Sequence, residues 1–98
     1  MEADIERLKS NFRDSAAKIV GYVWQEFQNQ SGRLDRHRDE NVFRQLQSRY
    51  VNELQQRLGE EAESLIRNYS GNSSVLRRDL TNQIAYNVSQ LNLRIRSL

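Results

Sequence analysis

Asp35, His37 and Asp39 form the one cluster that joins an imidazole to carboxylates, because His37 is the only histidine. Those side chains are metal-ligand types, but a metal site needs fixed geometry and a further donor. Arg33, Arg36 and Arg38 alternate with them, and their charge opposes a bound cation. The expectation is an exposed linker of alternating charge. Glu60, Glu61 and Glu63 are the densest carboxylates. General acid work needs burial to raise a carboxyl pKa, and a helix face crowded with glutamates reads as solvated instead. Serines are plentiful, yet His37 is the only imidazole base and no Gly-X-Ser-X-Gly turn occurs. There is no cysteine, hence no thiolate ligand, no thiol nucleophile and no disulfide. No glycine-rich phosphate loop is present. The chain is read as non-enzymatic, with no catalytic residue, metal or cofactor.

Arginine is the more informative residue. Thirteen of the fifteen basic residues are arginine, although the net charge is only +2. Arginine forks onto carboxylates and phosphates and stacks on aromatic rings. Arg78 and Arg96 are 18 residues apart, five full helical turns, so they share a helix face. Asn82, Ala85, Ser89 and Asn92 lie between them on that face. Arg77, Arg78, Arg94 and Arg96, extended by the linker residues Arg33, Arg36 and Arg38, are the candidate nucleic-acid contacts. The small net charge ranks that role second. Tyr22, Trp24 and Tyr86 are the candidate anchors for the first-ranked role, docking against another protein, since aromatic rings dominate cores and interfaces alike.

Three stretches must position these side chains. The middle one, about 39–69, carries Phe43, Leu46, Tyr50, Leu54, Leu58, Ala62, Leu65 and Tyr69 at steps of three and four. That spacing lays one apolar stripe along a helix. The first, about 2–30, has Ile5, Leu8, Phe12, Ala16, Ile19, Val23 and Phe27, and the third, about 74–98, has Leu76, Leu80, Ile84, Val88, Leu91, Ile95 and Leu98. The two outer stripes take six steps over 22 residues, about 3.67 residues per turn, a period that packs nearly straight rather than as a leucine zipper. Ser31-Gly32 and the run Ser70-Gly71-Asn72-Ser73-Ser74 mark the breaks, at about 31–38 and 70–73. Asp35 or Asp39 is expected to cap the second helix, and Asn72 or a neighbouring serine the third. Gly21 inside the first helix suggests either close approach of another backbone, the preferred reading, or a bend in the helix. Gly59 is the weak point of the second, which is kept whole because its stripe continues in phase. Asp14–Lys18, Glu40–Arg44, Glu53–Arg57 and Glu63–Arg67 are spaced as one-turn ion pairs.

The expected fold is all-α: one domain over residues 1–98, built as an elongated bundle of three long antiparallel helices. Its 98 residues suffice for a core without staples. The absence of proline permits long helices. No apolar run approaches the ~20 residues of a membrane span, and the acidic opening segment lacks the apolar centre of a secretory signal. A cytoplasmic protein is expected. Helical-hairpin length and pattern are similar to the small proteins exported by type VII secretion, but their Trp-X-Gly turn is absent, so that resemblance is not adopted and no family is assigned. More aromatic surface is present than one core seam holds, which points to self-association as a homodimer.

Overall fold

The computed structural model describes residues 2–98 and consists of three helices that span 83% of the chain, with no strand among those residues. They are α1 (Glu2–Ser31), α2 (Glu40–Arg67) and α3 (Ser74–Arg96). Met1 and the side chains of Glu2 and Ala3 lie outside the described residues. Each helix contacts both others, and the bundle measures 53 × 19 × 18 Å.

The stripes form the core. Phe12, Ala16, Val23 and Phe27 of α1 are buried, and Phe12 to Val23 and Ala16 to Phe27 are both steps of eleven. Leu80 and Leu91 of α3 repeat that step between the buried Leu76 and Ile95. Eleven residues complete three turns, so these positions stay on one side of their helices. In α2 the buried set is Phe43, Tyr50, Leu54, Leu58, Ala62 and Ile66. From Tyr50 onward it advances by four, about 40° of drift per step. The contact line therefore winds around α2, and by its last turn Ile66 takes the core place expected of Leu65, which is half-buried. Leu98 lies beyond α3 and is 52% exposed, so it does not extend the third stripe.

At the α1–α2 link neither Asp35 nor Asp39 caps α2 with its side chain, contrary to expectation; both close the turn that precedes it. Asp35 Oδ1 accepts from the backbone N–H groups of His37 (2.9 Å) and Arg38 (3.0 Å). Asp39 Oδ2 accepts from the Asp35 N–H at 3.0 Å, and the Asp39 N–H donates to the Asp35 carbonyl at 2.7 Å. This closed turn delivers the chain into α2, whose first amides Asp39 does not cap with its side chain. At the second link Asn72 Oδ1 accepts from the Ser74 N–H at 3.0 Å. A Cβ on Gly71 would stand 3.0 Å from the Tyr69 hydroxyl oxygen and 3.1 Å from its ring, so a side chain here would have to displace the Tyr69 ring by a few tenths of an ångström.

Gly21 corrects an expectation. Nothing lies within 4 Å of where its Cβ would be, so no backbone approaches it. Gly59 sits inside an unbroken α2. The pairs Glu40–Arg44 (2.6 Å) and Glu53–Arg57 (3.1 Å) form as spaced. No ion pair joins Asp14 to Lys18 among the described residues. Glu63 turns away from Arg67 and takes both terminal nitrogens of Arg77, across the α2–α3 link. Arg67 donates instead to the Glu63 carbonyl, at 3.4 Å. A forked contact to a guanidinium outcompetes a one-turn pair on geometry.

Candidate functional site

The antiparallel helices bring the singled-out residues to two ends and one outward face. At one end meet the C-terminal part of α1, the start of α2 and the last turn of α3. There Phe27 packs edge-on against Phe43 and Tyr50, with centroids 5.6 and 6.0 Å apart, while Trp24 stacks on Phe27 at 6.0 Å. Arginines roof this cluster. The Arg36 guanidinium carbon lies 5.3 Å from the Phe43 centroid, and that of Arg94 lies 4.9 Å from Trp24. Arg36 also donates to the Arg96 carbonyl at 3.3 Å, tying the linker to the end of α3. Such cation–ring contacts are worth roughly 0.5–2 kcal/mol, more as water is excluded.

The seven candidate arginines therefore split. Arg33, Arg36, Arg38, Arg94 and Arg96 gather at the aromatic end, whereas Arg77 and Arg78 lie at the opposite end beside Glu63 and Asp79. Most already have partners. Arg38 approaches Asp39 at 3.6 Å and Arg78 approaches Asp79 at 3.5 Å. Arg33 is exposed. The polar face framed by Arg78 and Arg96 divides along the crest of α3. Asn82 borders a groove toward α1, while Ala85, Ser89 and Asn92 border one toward α2. Asn92 also accepts from Gln47 at 3.2 Å.

The three candidate anchors are separate. Trp24 is half-buried on the core beneath Arg94. Tyr22 is 51% exposed, but the Arg57 guanidinium lies over its ring at 4.8 Å. Its hydroxyl donates to Glu26, which holds the Tyr22 pKa above the usual value despite the opposing Arg57 charge. Tyr86 is the most exposed large hydrophobic side chain among the described residues, at 64%, and borders the α1–α3 groove of about 500 Å³ with Lys9, Arg13 and Ala17. Lys9 bridges Glu6 and Asp79, both at 3.3 Å, and those two carboxylates raise its pKa. On the other flank of α3 a groove of about 490 Å³ exposes Ile84, Ala85, Val88 and Leu93.

Val75 and Leu93 join Tyr86 on the outward face, 46% and 51% exposed. These two were not among the candidates read from the sequence. Their signal was present: Leu93 lies two residues from the buried Leu91, and on a helix such neighbours point in different directions. The exposed apolar side chains of α3 thus form a second stripe, opposite the core.

The reactive clusters are occupied locally. The backbone N–H groups of Arg38 and His37 hold the Asp35 carboxyl below its ordinary pKa. Arg77 does the same for Glu63, the opposite of the shift a general acid requires. No group of three or more His, Cys, Asp or Glu side chains is arranged to hold a metal among the described residues. No helix of the described residues is long and apolar enough to cross a membrane. Compared with known proteins, the chain matches no family model, no curated protein and no solved structure.

Proposed function

We propose that this protein is a non-enzymatic interaction module, an adaptor or assembly factor that docks helix on helix through the outward face of α3. The observation that supports this most is the concentration of exposed apolar side chains there: Val75, Tyr86 and Leu93, with a mostly polar groove on the α1 flank and a groove that exposes Ile84, Val88 and Leu93 on the α2 flank. An aromatic side chain that stands nearly free of its own core, beside a furrow, is the usual form of an interface anchor. Tyr86 is the principal anchor. Tyr22 and Trp24, engaged by Arg57 and Arg94, are subsidiary.

A second reading, binding of nucleic acid, is favoured by the gathering of Arg33, Arg36, Arg38, Arg94 and Arg96 at one end. Its affinity would fall steeply with salt as phosphate counterions are released. The two are separated by affinity capture from native cell extract, with and without nuclease. A discrete protein retained after nuclease, and lost from a Tyr86→Glu bait, is the expected result. Bound material that disappears on nuclease treatment, with Tyr86→Glu binding as well as wild type, would replace the first reading by the second.

A further inference from the structure

We infer that the outward face of α3 pairs with the same face of a second copy of this chain, antiparallel, about a two-fold axis at residue 84. This pairing presupposes the interaction role proposed above and names its partner. Along the crest of α3 stand Val75, Asn82, Tyr86 and Leu93, separated by seven, four and seven residues. Steps of seven and four hold a side of a helix. The spacing also reads the same in both directions, the requirement for a self-complementary interface across a two-fold axis. With the axis at residue 84, Val75 meets the partner's Leu93, and Asn82 meets the partner's Tyr86. The first contact is apolar on apolar. The second sets an amide against a phenol hydroxyl, which fixes register in the way a single buried asparagine does in a coiled coil. Ala85 and Ser89 keep the flank beside the axis small, so the helices can approach closely.

Charge selects the antiparallel direction. The contacts Lys9–Asp79, Arg77–Glu63 and Gln47–Asn92 align the three helices, and they divide the bundle near residues 13, 57 and 83. The half holding residues 14–57 and 83–98 has nine Lys and Arg against six Asp and Glu. The half holding residues 1–13 and 58–82 has six against seven. One half is thus +3 and the other −1, with His37 neutral. Antiparallel pairing lays the basic half of each copy along the acidic half of the other. Parallel pairing would place Arg78 on Arg78 and Arg96 on Arg96, with the basic halves side by side, an arrangement that like-charge repulsion opposes. In the antiparallel register Arg78 faces Gln90, and Arg96 and the partner's Arg78 are offset by about 9 Å along the axis. The 23 residues of α3 make a strip about 34 Å long and, at the ~10–12 Å width of a helix with its side chains, roughly 400 Å². That is about half the ~800 Å² per partner of a standard interface, the size of a weak, concentration-dependent association.

The chain has no cysteine, which makes the test clean. Val75→Cys and Leu93→Cys variants are prepared separately and oxidised alone and as a mixture, beside sedimentation equilibrium of the wild-type chain. Expected are a wild-type mass of twice 11.6 kDa, a disulfide-linked heterodimer as the main product of the mixture, and little cross-linking of either variant alone. A Tyr86→Glu variant, with an unchanged circular-dichroism spectrum, should sediment as a monomer. Cross-linking of each variant with itself would overturn the antiparallel register. A wild-type monomer at high micromolar concentration would overturn self-pairing. If that monomer still captured a nuclease-resistant protein through Tyr86, the module reading would stand and the second copy would be excluded as its partner.

Discussion

Replacing Gly21 and Gly59 by alanine should stabilise the protein, and the gain follows from two structural facts. Both residues lie in helix interiors, in α1 and α2. An ideal Cβ at either position meets no atom within 4 Å, so the added methyl causes no clash. What remains is the backbone entropy that glycine loses on entering a helix, about 0.8–1 kcal/mol relative to alanine. The double variant should gain nearly 2 kcal/mol if the sites act independently. For a domain of this size 1 kcal/mol moves Tm by about 4–8 °C, so the pair should raise it by roughly 10 °C. Urea unfolding followed by helical ellipticity is the direct assay. The midpoint should rise and the slope stay constant, because the buried area does not change. Gly71→Ala supplies the contrast: its Cβ would meet the Tyr69 ring system at 3.0–3.2 Å, so it should not share the gain. A Gly59→Ala variant no more stable than wild type would refute a continuous α2, because the propensity gain exists only in a helix.

Three further outcomes follow from the packing and charge. Phe27→Ala removes a fully buried ring that touches Trp24, Phe43 and Tyr50, and should cost about 3–5 kcal/mol, measurable as a fall in urea midpoint. Arg94→Ala uncovers Trp24, the only tryptophan; its emission should shift to longer wavelength and acrylamide quenching should rise, with helicity retained. Acid should destabilise the fold through Glu63 and Asp35. Both have folded pKa values below their ordinary 4.5 and 3.8, so the unfolded chain binds more protons between folded and unfolded pKa. Their contribution is present above pH 4.5 and is lost as pH falls through the folded values; Glu63→Gln should flatten that decline in stability measured against pH.

The sequence carries the fold because one period dominates it. Stripes at three- and four-residue steps, broken at Ser31-Gly32 and Ser70–Ser74, locate three helices whose ends lie within two residues of those in the structure. Register within a stripe is less visible. Leu65 and Ile66 are adjacent and equally apolar, and only the winding of the α2 contact line decides that Ile66 is buried. Gly21 misleads because a glycine in a helix signals tolerance of close approach, not its occurrence. Glu63 finds Arg77 fourteen residues away, a choice set by the turn between α2 and α3 and not by helical spacing. The second apolar stripe of α3 was legible in Tyr86 alone. Val75 and Leu93 read as irregular members of an apolar set until the core claims Leu76 and Leu91 and leaves them outside.

That outward stripe is the centre of the account, and oxidative footprinting of aromatic side chains measures it most directly. The chain is labelled in native extract and, separately, as purified protein at high dilution. Tyr86, 64% exposed in the single copy, should oxidise readily when dilute and be protected in extract, while Tyr22 changes little. Equal oxidation of Tyr86 under both conditions, with protection confined to the end that carries Arg33, Arg36 and Arg38, would contradict it.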